Sequence, residues 1–336
     1  MQNENTIIVG GGPCGMSCAI NLQEHGINPL IIEKENVVNT IYQFPTHQTF
    51  FSSSDKLEIG EVAFITEKQK PVRNQALSYY REVANRKKLR INSFEKVSSL
   101  NSFGQNSFTL ETESKNGKKK IYTAENVIIA TGYYDQPRMM NVPGENLSKV
   151  MHYFKEAHPF FNKNVVVIGG KNSAVDTTLE LHKAGANITV LYRGEQYSKS
   201  VKPWILPEFD SLVRKGIVQM EFNTHIKEIT DDKVIYTTGS ETKELENDYV
   251  FAMTGYKPDF QLLKQIGVQV DENTGRPFFD QKTMETNVSG VYVAGVIAAG
   301  YNNNEIFIEN GRHHGAGIAE AIIEQNQKRA QSVMCE

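Results

Sequence analysis

The sequence predicts an α/β protein made of two parallel-sheet units, the first of them discontinuous. Three observations predict this. An apolar strand runs into a glycine-rich turn near the N-terminus, in "TIIVGGGPCGMSCAINL". The same plan returns in weaker form from residue 165. Two matching exit phrases close these segments, and a further strand and helix follow that neither needs.

The first segment predicts a strand over residues 6–9, glycines at Gly10, Gly12 and Gly15, and a helix with apolar groups at Met16, Ala19 and Ile20. Gly26 ends that helix, and "PLIIE" supplies the next strand, closing on Glu33. This strand–turn–helix–strand order with a terminal acid is the context of a Rossmann-like dinucleotide fingerprint. Gly10 serves the tight turn, Gly12 the approach of backbone to a pyrophosphate, and Gly15 the packing of helix on strand. The helix N-terminus offers its open N–H groups to the anion. Glu33 is placed to accept hydrogen bonds from a ribose diol.

The second segment predicts a strand over 165–168, a helix from Asn172, a break at Gly185 and a strand over 188–192. Gly169 and Ala174 hold the outer fingerprint positions, and Lys171 stands where a glycine is expected. The lysine costs room for the backbone but brings positive charge to the anion. This strand ends in Tyr192–Arg193, not in a carboxylate. An acid there would repel a 2′-phosphate, whereas arginine grips it with a planar fork. Lys199 and Lys202 lie just beyond. Glu33 therefore suits an unphosphorylated ribose, as in FAD, and Arg193 suits NADPH. One resident flavin and one diffusing nicotinamide make a hydride-transfer enzyme that needs no metal.

The exit phrases "ENVIIATGYYDQP" and "DYVFAMTGYKPD" each join an apolar strand to a T-G turn. Between them the predicted domains are 1–157, the first part of the FAD-binding domain, and 158–259, the NADPH-binding domain; 260–336 completes the FAD-binding domain. Ahead of the first exit, alternating residues around Asn116–Gly117 predict a hairpin, read as a small antiparallel layer. In the C-terminal part, residues 290–295 predict a strand and turn, and a terminal helix starts near Gly311 and frays from about Glu324.

Composition agrees with a folded enzyme and excludes other classes. The chain of 336 residues is 39% hydrophobic and 22% charged, with a net charge of -3, so no basic surplus points to nucleic acid. No apolar stretch approaches the roughly 18 residues of a membrane span, and no signal peptide is expected. The three cysteines, Cys14, Cys18 and Cys335, form neither a disulfide framework nor a zinc pattern, so a reducing cytoplasm is expected.

The double fingerprint, the paired A-T-G and M-T-G phrases and "GVYVAG" resemble the thioredoxin-reductase-like flavoproteins, pyridine nucleotide-disulfide oxidoreductases, over almost the whole chain. "GGGPCG", "GGKNSAVD" and "GVYVAGVIAAGYNNNEIFIENGRHHG" are similar to one branch, the YpdA-type bacillithiol disulfide reductases. The resemblance implies a homo-oligomer that binds FAD through Gly10, Gly12, Pro13, Cys14, Gly15, Glu33, Thr131, Gly132 and Gly295. It implies NADPH on Gly169, Lys171, Asn172, Ser173, Ala174, Arg193 and Lys199. It also implies bacillithiol disulfide as substrate and an indirect link to bacilliredoxins.

Two departures stand out. Residues 158–259 hold no cysteine, so the dithiol relay of thioredoxin reductases is missing. Val296 stands where the wider class has an aspartate for the ribityl chain, which leaves the backbone at Gly295 and Asn302–Asn304 as substitutes.

Cys14 has two open readings. As a redox nucleophile it sits at a helix N-terminus, which favours thiolate. As filler it is a small buried group. Cys18 reads as packing, and Cys335 as part of a frayed tail. His313 and His314 point different ways on a helix and make poor joint metal ligands. Tyr133, Tyr134 and Tyr256 follow the T-G turns, and Trp204 anchors a loop beside the nucleotide. A ferredoxin/flavodoxin–NADP reductase of the same fold is the alternative, with Cys14 dispensable; a nucleotide sensor leaves the second binding unit unexplained.

Overall fold

The computed structural model describes residues 1–104 and 106–334, so Cys335 lies outside the described residues. The chain forms two compact units. Residues 1–42, 48–136 and 257–336 make the first, and residues 43–47 and 137–256 the second.

In the first unit β1 (Gln2–Val9), β2 (Leu30–Ile32) and β3 (Arg90–Asn92) run parallel, with Val9 opposite Ile32. The run Ile7–Val9 is buried on both faces of the sheet, which is why it reads as an unbroken apolar string. β1 starts four residues earlier than the apolar pattern predicts. The polar start is held by Glu4, which is buried and accepts two hydrogen bonds from the Arg90 guanidinium at 2.7 and 2.8 Å. That fork holds the Glu4 carboxyl below its usual range.

α1 (Pro13–Glu24) follows the first turn, and α2 (Arg73–Arg86) precedes β3. The predicted hairpin is β5 (Phe108–Ser114) and β6 (Lys119–Ile129), reversing at Gly117 with φ 79°; β4 (Glu95–Ser102) adds to its outer edge. It is not a separate layer. β6 pairs with β1 along its length, so the antiparallel strands continue the main sheet. β6 spans 11 residues, long enough for two neighbours on its other edge: β5 lies beside 119–124, and a later strand beside 127–129.

The second unit has a five-stranded parallel sheet of β7 (Val150–Met151), β8 (Asn164–Ile168), β9 (Asn187–Leu191), β10 (Val218–Glu221) and β14 (Tyr249–Ala252). The order is β10-β9-β8-β14-β7. α3 (Asn172–Lys183) and α4 (Leu206–Arg214) join its strands. β11 (Thr224–Ile229), β12 (Lys233–Thr238) and β13 (Glu241–Glu246) form an antiparallel layer. β8 serves both faces by its period of two. Val165 and Val167 join a core with Val175 and Leu179 of α3, while Val166 and Ile168 pack with Val234 and Tyr236.

The unit starts at residue 137, not 158, because β7 completes its sheet beside β14. Residues 43–47 join it through Thr46 N–H, which donates to Lys155 C=O at 2.9 Å.

In α3, burial pushes the Asp176 carboxyl up to about 6, and Glu180 one turn later adds repulsion. A folded pKa above the ordinary 3.8 means that ionisation weakens the fold as pH rises from about 4 to 6. Asp176→Asn is therefore expected to stabilise by about 1–2 kcal/mol at pH 8 and by much less at pH 4, read from urea melts at both values.

The chain returns to the first unit with β15 (Val291–Val293), which pairs with β6, then α5 (Ile308–Gly311) and α6 (His314–Met334). α6 continues through the polar stretch beyond Glu324 that its composition suggested would fray. No helix among the described residues is long and apolar enough to cross a membrane.

Candidate functional site

The first turn is closed by backbone sterics. A Cβ on Gly10, whose φ is 114°, would lie 2.4 Å from the carbonyl oxygen of Ala130; one on Gly15 would lie 2.1 Å from that of Gly10. Glycine is required at both. Gly12 differs, since nothing stands within 4 Å of where its Cβ would point. Gly12 caps α1 without a side-chain bond. The first intrahelical N–H bond is Met16 to Gly12 C=O at 2.9 Å, so the N–H groups of Cys14 and Gly15 have no intrahelical partner. Thr131, in the exit turn, has a buried Oγ1 with no hydrogen-bond partner among the described residues. An open cradle, an uncapped helix start and an orphaned hydroxyl fit the phosphates of a dinucleotide.

Glu33 is 7% exposed, and its carboxylate spans the turn. One oxygen accepts the Gly11 N–H at 2.7 Å and the other the Glu35 N–H at 2.9 Å. Burial pushes its carboxyl up, and these two bonds act in the opposite direction. Each oxygen keeps a second lone pair for an external donor.

Cys14 is half-buried, Cys18 fully so. The Cys14 sulfur lies where the chain returns: a Cβ on Gly295 would be 3.0 Å from it, and one on Gly311 2.9 Å. Burial pushes the Cys14 thiol up to about 12, and the Glu309 carboxylate of α5 adds to the rise. Both act against the thiolate-favouring effect of a helix start. Cys18 is raised by burial as well. Glu309 accepts a hydrogen bond from Ser52, and Ser17 donates to Arg312 C=O at 2.6 Å. These contacts were illegible in the sequence, because they join residues 14, 52, 295, 309 and 311 across long separations. Only the glycines of "GVIAAG" and "IENG" hinted at close approach.

His314 Nδ1 accepts the Gly295 N–H at 3.1 Å, and burial lowers its basicity. It is a neutral ring that orients the turn, with its proton on Nε2. No metal-binding cluster of three or more His, Cys, Asp or Glu occurs among the described residues. Val296 sits in the 3₁₀ turn Gly295–Ala299. Asn302 donates to Glu305 at 3.1 Å, so that side chain has an occupation of its own. Tyr133 is half-buried, and burial raises its phenol to about 12; Tyr134 meets it edge-on at 6.4 Å.

The second turn repeats the first with one relaxation. Gly169, with φ 141°, would place a Cβ 2.5 Å from the Met253 carbonyl oxygen and 3.2 Å from the Ala174 methyl. Lys171 caps α3 with an extended backbone at φ -108°, so a side chain is accepted there and stays exposed. No side chain caps this helix either. The Tyr192 ring packs against Gly170 and Gly194, where a Cβ would come within 2.4 and 2.5 Å of it.

Arg193 and Lys199 are exposed, with no ion pair among the described residues. Lys202 Nζ lies 5.8 Å from the centre of the half-exposed Trp204 ring. Asn172 uses both ends of its amide: Nδ2 donates to Ser200 C=O at 3.0 Å, and Oδ1 accepts the Lys202 N–H at 2.8 Å. Tyr256 stacks on Tyr153 at 5.2 Å and donates to His152 C=O at 3.1 Å.

A family described as pyridine nucleotide-disulphide oxidoreductase matches residues 7–295. Bacilliredoxin reductase Bdr of Bacillus subtilis is 61% identical over 326 residues, covering 97% of this chain and 99% of that one. The solved structure of bacillithiol disulfide reductase Bdr (YpdA) from Bacillus cereus is 61% identical with a TM-score of 0.95, covering 96% of this chain and 100% of that one. Its counterpart from Staphylococcus aureus is 54% identical with a TM-score of 0.92, covering 97% and 99%. With two glycine turns on parallel sheets and a match from the first strand to Gly295, the chain belongs to the pyridine nucleotide-disulphide oxidoreductase family.

Proposed function

We propose that this protein is an NADPH-dependent flavoprotein reductase of a low-molecular-weight thiol disulfide, bacillithiol disulfide, with Cys14 as its redox nucleophile. The observation that carries the reading is 61% identity across 97% of the chain to a bacilliredoxin reductase, in a protein whose partly buried Cys14 lies in the first nucleotide turn. In this reading it works in the cytoplasm as a homo-oligomer and recharges bacilliredoxins through bacillithiol.

The first turn, with Gly10, Gly12, Pro13, Gly15, Glu33, Thr131, Gly132 and Gly295, would hold FAD. The second, from Gly169 through Ala174 with Arg193 and Lys199, would hold NADPH. FAD, when bound, supplies two-electron relay between the nicotinamide and a disulfide. The chain's own part is to hold and move a proton at Cys14 Sγ. The sulfur attacks one sulfur of the substrate, an S–S bond breaks as the mixed disulfide forms, and the departing thiolate takes up the proton that Cys14 gives up. Two electrons and two protons, one proton carried by the hydride of NADPH and one from solution, then cleave the mixed disulfide, freeing the other thiol and restoring the Cys14 thiol. In sum, NADPH, one proton and one disulfide become NADP⁺ and two thiols. Because the free thiol is pushed to about 12, proton removal must accompany the attack.

The test presents flavin-loaded protein and NADPH with bacillithiol disulfide, glutathione disulfide, thioredoxin and ferredoxin separately. Bacillithiol disulfide is expected to be consumed fastest. Faster turnover of ferredoxin would replace this reading with the ferredoxin–NADP reductase alternative.

A further inference from the structure

The loop at residues 198–202 carries Lys199 and Lys202, and Arg193 stands two residues beyond the end of β9. A loop of this kind binds a dianion well only if it is ordered beforehand, since ordering its backbone on binding costs conformational entropy. Two devices order it. Val201 is 6% exposed and joins the core of the second unit. Asn172, the first residue of α3, grips the backbone on both sides of Val201 through Ser200 C=O and Lys202 N–H. Its amide pairs with the loop as one peptide group pairs with another in a sheet. Ser198 and Ser200 add a hydroxyl contact at 2.8 Å within the loop.

We propose that Asn172 is a positioning residue for nucleotide choice. It holds the 198–202 loop so that Lys199 and Lys202 join Arg193 on the 2′-phosphate of NADPH, without touching that phosphate itself. The inference rests on the NADPH reading above. It separates two jobs that lie next to each other in "GGKNSA". The open N–H groups at the start of α3 serve the pyrophosphate, common to NADH and NADPH, and the Asn172 side chain serves the one group that differs. Only asparagine has both a donor and an acceptor at this reach. Alanine loses both bonds, aspartate turns a lone pair on Ser200 C=O, and glutamine keeps both functions one methylene further out.

The experiment uses full-length, flavin-loaded protein and two fragments that report on the ribose site without turnover, adenosine 2′,5′-bisphosphate and 5′-AMP. Affinities are measured by calorimetry for wild type, Arg193→Ala, Asn172→Ala and Asn172→Gln, with the NADPH/NADH ratio of kcat/KM alongside. Wild type is expected to prefer the bisphosphate, and Asn172→Ala to lower that preference about tenfold. Asn172→Gln should recover part of it. Alanine is a good helix former, so the melting temperature serves as the check that α3 is intact. If wild type shows no preference, the NADPH reading falls and the inference with it. If wild type and Arg193→Ala differ but Asn172→Ala keeps the full preference, only the inference falls. An equal loss of both ligands in Asn172→Ala also overturns it, since that marks a general prop for the turn.

Discussion

Cys14→Ala is expected to lower bacillithiol disulfide turnover by about a hundredfold or more, while NADPH oxidation by a small artificial acceptor, which bypasses the thiol, persists. The size follows from the absence of a substitute cysteine nucleophile among the described residues. Cys18 is fully buried, and residues 158–259 contain no cysteine. The pH dependence has a definite sign. With the thiol at about 12, the thiolate fraction of the free protein grows about tenfold per pH unit from 7 to 11, and alkylation by iodoacetamide should follow it. The folded thiol keeps its proton to higher pH than the ordinary value of 9.0. The stability that this neutral form contributes is complete below pH 9 and is lost as pH climbs towards 12. Rapid alkylation at pH 7 would overturn the raised thiol pKa, and undiminished disulfide turnover in Cys14→Ala would remove the thiol from the mechanism.

What was legible in the sequence is what local patterning encodes. The glycine spacing at Gly10, Gly12 and Gly15 fixes a turn whose sterics involve neighbours in the same turn and the next strand. The apolar runs of β1 and β8 announce strands buried on two faces. Three things were not legible, each for a physical reason. Polar residues 2–5 gave no sign of a strand, because the partner that makes Glu4 tolerable there is Arg90, far along the chain. The surroundings of Cys14 depend on Gly295, Gly311 and Glu309, which only the return of the chain brings to it. Helix-start reasoning alone therefore left the direction of its proton affinity undecided. Residues 137–157 looked like the tail of the first unit, yet two residues of β7 take the open edge of the second sheet. The logic of the turn was local, and the chemistry of the thiol was not.

Gly15→Ala and Gly12→Ala, changes of one methyl in the same turn, should fail in different ways. At Gly15 the new methyl would meet the carbonyl oxygen of Gly10 at 2.1 Å. Neither side can yield cheaply, because Gly10 is itself pressed against Ala130, where a Cβ would come within 2.4 Å. Overpacking of this kind costs about 1–3 kcal/mol or more, so the variant should melt several degrees lower and purify with little or no flavin. At Gly12 the methyl meets no protein atom within 4 Å, and the backbone φ of -78° is open to any residue. The apoprotein should therefore melt within about a degree of wild type, since a surface change free of such features is worth about 0.5 kcal/mol or less. Its flavin affinity should nonetheless fall at least about tenfold, because the methyl occupies the space reserved for the ligand. The second unit supplies the control. Ala174 holds the position equivalent to Gly15, where the second turn carries a methyl, so Ala174→Gly should cost only about 0.5–1 kcal/mol of helix stability and leave flavin content unchanged. Flavin titration and melting of the apoproteins separate the cases. A Gly12→Ala protein that holds flavin as tightly as wild type would mean that the open space in the first turn is not where the dinucleotide lies.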